Sequence, residues 1–485
     1  MKVKRKVGGV GDVLASLEKC QLVLKASYCE LLNETLFKRT IEDSTFLYNR
    51  WIDREEKKAS HKPMEALDLH LDERANLWNS GDLEQLFLEE AESIFKEIWH
   101  SRMGNGDDEM TWVFKQRGDS NDKIIRSTGW DLFEGRTGIA LFFAALYAIN
   151  RDELVKEAVK RVLSPLLEDI QSGVGTDQET ISLGKAYGIA GIVQALFFVG
   201  EYVDEKSYKE NALSLLYQVT VLNIQSDLLL DILEGTAGLL SVVSDLYAQT
   251  QDKNMISLGN VLAEHLMKCR VESELGVKVW LSNSRNQLLT GFGHGISGMA
   301  HALYKWYRIT GHLPYKKAAE EALQYEGLTS EGEESSWLDF KDRSHFDTLE
   351  QPFMAGWCSG APGIGLARLT MFQKADISFQ RDLKRALAFT EWSSVQGVDH
   401  LCYGNAGRLD FLLEASVVMN NDHLFHTARQ KQKWVIEQKR VRGHYVLNSL
   451  EGGRSFYPSL FQGLSGIGYV MLRCINAKKI RSILT

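Results

Sequence analysis

Two cysteines stand at the same place in two copies of one short motif. Cys358 lies in the stretch Gly-Trp-Cys-Ser-Gly-Ala-Pro-Gly, and Cys402, 44 residues later, lies in Leu-Cys-Tyr-Gly-Asn-Ala-Gly. Each thiol comes two residues before a Gly-x-x-Gly unit and an apolar run. A pair of soft thiolates selects zinc over hard cations, and two thiolates with one more ligand would leave a coordination position open, as in catalytic zinc sites. We therefore predict that the two cysteines share a zinc ion.

The other cysteines do not follow this pattern. The chain has six cysteines, and their scatter is not that of a secreted disulfide framework, so we expect a reducing, cytoplasmic setting. Four of them are interpreted as small hydrophobic residues, namely Cys20, Cys29, Cys269 and Cys474.

The Gly-x-x-Gly unit is repeated seven times between residue 130 and the end of the chain. Its first glycines are spaced 44 to 65 residues apart, at positions 135, 188, 235, 295, 360, 404 and 463. An apolar helical run follows each unit, and a more polar amphipathic segment precedes it. These polar segments are predicted at about 87–102, 153–171, 206–221, 255–271, 315–325, 379–392 and 422–438.

Seven helical pairs of this kind predict an all-α protein, an α/α toroid in which seven outer helices surround seven inner ones. One helical pair cannot bury its apolar face alone, and closing the ring removes the need for capping repeats. We expect the glycines to allow positive φ and close backbone approach where the chain enters each inner helix. Residues 1–110 are predicted to be a helical extension whose last helix, 87–102, is the first outer helix, and residues 111–485 to be the toroid.

All seven inner helices should begin at one end of the barrel, where unpaired amides and helix dipoles favour anions. Two turns share Asp-x-x-Glu-Gly, with Asp131 and Glu134 in one and Asp231 and Glu234 in the other. A third carries His294. An acid, an imidazole and two thiols would then project from successive turns. Each has a plainer interpretation, since an aspartate before a helix is usually a cap and a lone histidine is usually structural.

Composition excludes some functions. The net charge of −8 gives no basic field for nucleic acid. No window approaches 18 unbroken apolar residues, so no membrane span is expected, and the basic start of the chain lacks the apolar stretch of a signal peptide.

Residues 130–480 resemble the lanthionine synthetase cyclases, especially the C-terminal cyclase part of class II (LanM-type) lanthipeptide synthetases. The lead-in through Trp112 resembles the segment that joins dehydratase to cyclase in those enzymes, without the dehydratase itself. The segments that carry the resemblance are 130–135, 231–235, 293–298, 357–363, 402–407 and 461–468.

The resemblance implies Zn²⁺ held by Cys358 and Cys402, with His294 and Asp231 as the acid/base pair. It implies the addition of precursor-peptide cysteines to dehydroalanine or dehydrobutyrine, which forms the thioether rings of lanthipeptides. The expected partners are a dehydrated precursor peptide and a separate dehydratase. Such chemistry agrees with the residues, because zinc lowers the pKa of a bound thiol and an imidazole oriented by a carboxylate can protonate an enolate.

The chain departs from the family pattern at two positions. The residue after the second cysteine is usually a histidine that serves as third zinc ligand, and here it is Tyr403; the residue after the first cysteine is Ser359. The third ligand is therefore Tyr403 or a neighbour such as His400 or His345. Two alternatives stay open. One is a degenerate, non-catalytic paralogue that binds precursor peptide or a dehydratase. The other is a toroidal glycoside hydrolase using carboxylates among Asp131, Glu134, Asp231 and Glu234.

Overall fold

The structure is a computed structural model that describes residues 80–104, 110–117, 123–173, 182–282, 288–328, 337, 356–371, 377–393, 395, 397–447 and 456–485. The chain forms two compact units, one made of Met1–His70 with Gln116–Ile124 and the other of Leu71–Lys115 with Ile125–Thr485. The account below concerns the second unit. Most of the predicted N-terminal extension, residues 1–79, lies outside the described residues, as do Cys20, Cys29 and His345.

Among the described residues, seven helices form the inner wall of the barrel. The first of them, α2 (Arg136–Asn150), shows why, since every residue from Thr137 to Ala148 is buried, as expected of a helix that is apolar on all sides. The inner helices are α2 (Arg136–Asn150), α4 (Ile189–Tyr202), α7 (Thr236–Thr250), α9 (Ile296–Thr310), α11 (Ala361–Met371), α13 (Asn405–Met419) and α15 (Leu464–Ile475).

Within the part of the chain that the structure describes, seven amphipathic helices surround them, as predicted, and one short extra helix, α6 (Val221–Ser226), precedes α7. The outer helices are α1 (Ser80–His100), α3 (Glu153–Ser172), α5 (Lys206–Leu216), α8 (Asn254–Lys268), α10 (Leu313–Leu328), α12 (Ile377–Trp392) and α14 (Asp422–Arg442). Two two-stranded sheets complete the described elements, β1 (Val113–Arg117) with β2 (Lys123–Ser127) and β3 (Val271–Glu272) with β4 (Lys278–Val279). No helix among the described residues is long and apolar enough to cross a membrane.

The ring closes through its last inner helix. Each inner helix packs on the next one around the barrel, and α15 packs on both α2 and the first outer helix, α1. The predicted α/α toroid is therefore confirmed. The helical pairs differ from the prediction in one respect: an inner helix packs most extensively on the outer helix that follows it, as α2 does on α3. The connection between these two helices is only Arg151 and Asp152, which makes a tight hairpin, whereas longer segments lead into each inner helix.

The glycine that precedes each inner helix is needed for close approach and not for positive φ. Gly235 has φ −123° and ψ −167°, an extended conformation open to any residue. A Cβ atom on Gly235 would instead lie 2.7 Å from the amide nitrogen of Asp231, closer than real contacts allow. The expectation of positive φ at these glycines was wrong, and the expectation of close backbone approach is confirmed.

Residues 476–485, which follow α15, turn back into the ring. Ile480, Ile483 and Leu484 are fully buried. The segment is hydrogen-bonded to four separated parts of the barrel, so it is enclosed by the ring. These bonds join the Arg481 amide to the Tyr202 hydroxyl, the Ser482 hydroxyl to Asp410, the Trp357 indole N–H to the Leu484 carbonyl at 3.2 Å, and the Lys185 ammonium to the Thr485 oxygen.

Candidate active site and metal centre

A closed belt of main-chain hydrogen bonds joins the seven turns. We number the turns one to seven after their Gly-x-x-Gly units. Six of the bonds connect equivalent residues, each lying two positions before the first glycine of its turn: the amide of one donates to the carbonyl of the other. In the seventh bond, the Trp357 amide donates to the Cys402 carbonyl. The N···O distances lie between 2.7 and 3.3 Å. The residues at this position are Phe133, Ala186, Leu233, Gly293, Cys358, Cys402 and Phe461.

Both candidate zinc cysteines belong to this belt, on adjacent turns. The Gly293 amide donates to the Cys358 carbonyl at 2.7 Å, and the Trp357 amide donates to the Cys402 carbonyl at 3.1 Å. Both side chains are reduced thiols; Cys402 is buried and Cys358 is half-buried, with its sulfur 3.5 Å from the Ser359 hydroxyl. The backbone therefore fixes the relative position of the two residues, as the repeat predicted.

The candidate acid/base pair is formed across two turns. His294 Nδ1 lies 2.8 Å from Asp231 Oδ2, and the other carboxylate oxygen, Oδ1, accepts a hydrogen bond from the Glu234 amide at 2.8 Å. Asp231 is only 1% exposed, whereas the His294 side chain is 26% exposed. A buried carboxylate therefore orients an imidazole that solvent can reach, an arrangement suited to proton transfer.

In three pairs of turns, the residue just before the first glycine lies against the preceding turn, at the residue four positions before the first glycine of that turn. His294 lies against Asp231 in this way. A Cβ on Gly356 would lie 2.9 Å from Tyr403 Cβ, and a Cβ on Gly291 would lie 2.6 Å from Ser359 Cα. Tyr403 thus packs on the turn that carries Cys358, and its side chain is 38% exposed.

His400 is enclosed beside Tyr403. The imidazole is fully buried, and neither ring nitrogen has a hydrogen-bond partner among the described residues. Burial lowers its pKa to about 3, so the ring is neutral at physiological pH. The His400 and Tyr403 rings are perpendicular, with centroids 4.2 Å apart. A buried imidazole without partners is costly, and it is one of the neutral nitrogen donors that zinc accepts.

The donor set fits a zinc ion in part. Cys358 and Cys402 supply two thiols of the soft type that zinc prefers. Within the described ranges, however, no group of three or more His, Cys, Asp and Glu side chains is arranged to hold a metal ion. The identity of a third ligand, Tyr403 or His400, stays a prediction.

Asp131 shows what the Asp-x-x-Glu-Gly motif does without an imidazole. Its Oδ1 accepts from the Glu134 amide at 2.7 Å, as Asp231 does from Glu234, and burial raises its pKa. The position that His294 occupies in turn four is held by Tyr187 in turn two. In turn one the motif therefore stabilises its own turn, which agrees with the plainer interpretation of Asp131.

Sequence reasoning missed Asp227, which binds the turn that carries Asp231. Its Oδ1 accepts a hydrogen bond from the Leu229 amide and its Oδ2 accepts one from Leu230. Burial raises the pKa of Asp227. No repeat position pointed to it, because it lies eight residues before Gly235, where the turns differ in sequence.

Comparison with known proteins agrees with the toroidal fold described above. The chain is 22% identical over 405 residues to the lacticin 481/lactococcin biosynthesis protein LcnDR2 of Lactococcus lactis subsp. lactis, a match that covers 78% of the chain and 39% of the relative. The chain thus spans about two-fifths of that protein's length. Its fold is similar to that of nisin cyclase, with a TM-score of 0.57 and 18% identity over 72% of this chain and 90% of the cyclase. The family model for lanthionine synthetase C-like proteins matches residues 126–485, and the chain belongs to that family.

Proposed function

We propose that this protein closes thioether rings in a lanthipeptide precursor. It adds a peptide cysteine thiol to a dehydroalanine or dehydrobutyrine residue of the same peptide. The observation that carries the proposal is the His294–Asp231 pair, 2.8 Å apart, on the same rim as Cys358 and Cys402. Membership of the lanthionine synthetase C-like family and the likeness to nisin cyclase support it.

Cys358 and Cys402 would hold the zinc ion in this proposal. A bound zinc ion lowers the pKa of a coordinated thiol, so that the thiolate is present at neutral pH. A reducing compartment follows, because both cysteines must remain thiols. Tyr403 makes a poor third ligand, since a neutral phenol has a pKa of about 10, and solvent or His400 would complete the set.

The chain's own residues handle the proton. When the thiolate sulfur bonds to the β-carbon of the dehydro residue, the π electrons move toward the carbonyl, and the α-carbon must gain a proton. His294 can deliver it from Nε2, because Nδ1 is held by Asp231. The buried carboxylate fixes the tautomer and stabilises the protonated ring between turnovers.

The substrate follows from this chemistry. It must be a peptide that already contains dehydroalanine or dehydrobutyrine, so a dehydratase must act first. We propose that this dehydratase activity comes from a partner or from a region outside the sequence considered, since the relative LcnDR2 is much longer than the matched part.

A non-catalytic paralogue is the second candidate, and Tyr403 favours it, as does the lack of a three-residue metal group among the described residues. One experiment separates the two. The purified protein is incubated with a dehydrated peptide, and the thiols that remain are alkylated and counted by mass spectrometry, because ring closure itself leaves the mass unchanged. A cyclase lowers the count by one for each ring; a protein that binds the peptide and leaves the count unchanged is the paralogue.

A further inference from the structure

Turn three, which carries Asp231, begins its inner helix differently from the other turns that the structure describes. In five turns the amide of the first helical residue donates to the main-chain carbonyl seven residues earlier, at 2.8 to 2.9 Å. These pairs are Arg136 with Gly129, Ile189 with Ser182, Ile296 with Leu289, Asn405 with Val398, and Leu464 with Tyr457.

In turn three a carboxylate replaces that carbonyl. The amide of Thr236, the first residue of α7, donates to Asp227 Oδ2 at 2.7 Å, and the Thr236 hydroxyl donates to the same oxygen at 2.5 Å. The carbonyl that the repeat would use belongs to Leu229, and it accepts from the Asp231 amide at 2.7 Å instead. A helix N-terminus stabilises a carboxylate, so this substitution is favourable.

The same carboxylate holds Leu230 in an unusual conformation. Leu230 has φ +61° and is buried, and the hydrogen bond from the Asp231 amide to the Leu229 carbonyl closes a γ-turn around it. A left-handed φ is rare for a bulky residue and persists where the surroundings impose it. Here Asp227 binds the amides of Leu229 at 3.1 Å and Leu230 at 3.3 Å. The other described non-glycine residues with positive φ follow helix ends: Arg151, Asp204, Gln251 and Asn420.

The γ-turn sets the direction of Asp231. After the turn, the Asp231 carbonyl accepts from the amides of Gly235 at 3.1 Å and Gly238 at 3.2 Å. With the Asp231 amide bound to Leu229, the whole main chain of Asp231 is fixed. Its side chain then reaches the Glu234 amide with one oxygen and His294 with the other.

Turn one provides an internal comparison. It contains the same Asp-x-x-Glu-Gly motif, with Asp131 in place of Asp231, but Ser127 stands where turn three has Asp227. The first helical amide of turn one donates to the main-chain carbonyl of Gly129. Trp130, the residue before Asp131, does not have a positive φ. Turn three, whose Asp231 binds an imidazole, thus has a second carboxylate, that of Asp227, bound to its main chain. Turn one, whose Asp131 binds no imidazole, has no carboxylate at that position.

We propose that Asp227 is a positioning residue for proton transfer: its carboxylate holds Leu230 in the γ-turn that aims Asp231 at His294. The inference rests on the proposed function for its effect on rate. Its structural part, that Asp227 maintains the Asp231–His294 hydrogen bond, can be tested without any turnover.

The test compares Asp227→Ala and Asp227→Asn with a matched control, Asp131→Asn, in full-length protein. Histidine is labelled with ¹⁵N, and the His294 signals are identified by their loss in His294→Asn. We expect both Asp227 variants to shift the His294 Nδ1 signal and to raise its rate of proton exchange. We expect kcat for ring closure to fall roughly 10- to 100-fold, the usual effect of a small misplacement near the reacting atoms. The peptide KM should not change, and Asp131→Asn should leave the His294 signal as in the parent protein.

The outcomes are distinct. Parental His294 signals in both Asp227 variants would overturn the inference, and so would an equal shift in Asp131→Asn, because the effect would then be a general loosening of the rim. A shifted His294 signal with a parent protein that never closes rings would support the positioning role while contradicting the proposed function. If Asp227→Ala does not fold, the test rests on Asp227→Asn, which keeps the shape of the side chain and one oxygen acceptor.

Discussion

The main-chain amide of Trp357 donates to the carbonyl oxygen of Cys402 at 3.1 Å, and this bond ties the turn of one candidate zinc ligand to the turn of the other. The belt of such bonds fixes the relative position of Cys358 and Cys402 through the backbone. In a metal site formed by these two residues, the belt and not the packing of flexible side chains would set the distance between their backbones.

Removal of either thiol should remove the metal. Cys358→Ser and Cys402→Ser should each lower zinc content to background, because one remaining thiolate and solvent hold zinc poorly. Atomic absorption of dialysed protein gives the content, and X-ray absorption of the zinc-loaded parent should show two sulfur ligands at about 2.3 Å. Cys269→Ser, a half-buried thiol outside the rim, is the control. Unchanged zinc in both rim variants would refute the shared site.

Loss of the His294 imidazole should slow ring closure and leave the zinc content unchanged. His294→Asn should lower the rate roughly 10²- to 10⁴-fold, the usual contribution of a general acid or base. Asp231→Asn should also slow the reaction, since the amide can present an N–H to Nδ1 and select the wrong tautomer. The alkylation assay measures the rate, and zinc content is measured in parallel. A His294 variant that closes rings at the parental rate would make this residue structural.

A histidine at position 403 should tighten zinc binding. Tyr403 follows Cys402 and packs against Gly356, on the turn of Cys358, so its backbone lies between the turns of the two cysteines. Tyr403→His would add a neutral nitrogen donor, and we expect slower zinc loss to a chelator than in the parent. Tyr403→Phe serves as control, and it should lose zinc at the parental rate if the phenol is not a ligand.

The result at position 403 also separates the two candidate functions. Faster ring closure together with tighter zinc would mean that the rim is otherwise competent. Tighter zinc without turnover would favour the non-catalytic paralogue. Equal zinc loss in all three proteins would show that residue 403 does not face the metal, and His400→Phe would then be the next variant to measure.

Lys185 should make stability depend on pH above neutrality. It is fully buried, its ammonium donates to the Thr485 oxygen, and burial lowers its pKa from 10.5 to about 7. Between pH 7 and 10.5 the unfolded chain therefore binds more protons at this residue, and the free energy of unfolding should rise with pH. The contribution is about 1.4 kcal/mol per pH unit at most.

Denaturant titrations from pH 7 to pH 10 check this prediction. Lys185→Met should flatten the rise relative to the parent. Lys160→Met, which removes an exposed lysine of α3, should give a curve parallel to that of the parent. A Lys185→Met curve that also runs parallel would mean that the buried lysine keeps its ordinary pKa.

The repeat made the fold predictable. The seven Gly-x-x-Gly units predict the number of inner helices, and their matched positions predict that Asp231 and His294 lie on one rim. The belt shows why matched positions were informative: residues such as Gly293 and Cys358 are bonded to each other through the main chain. Side chains at one repeat position must then project from one edge.

What the repeat could not predict is where one turn departs from the rest. The γ-turn at Leu230 depends on the Asp227 carboxylate, which stands where the loops have no common sequence. The expectation of unpaired amides at the helix starts was also wrong for the first amide in six of the seven turns, because a carbonyl or Asp227 already binds it. Both features come from contacts within a loop, which periodicity does not encode.

The segment that follows the last inner helix ties two separate turns together, because the Trp357 indole N–H donates to the Leu484 carbonyl and the Lys185 ammonium donates to the Thr485 oxygen. If the protein closes rings as proposed, we expect a peptide to reach the rim and to leave it on the same side, without passing between these turns. A peptide with several finished rings, bulky and crosslinked, would then need no separate exit.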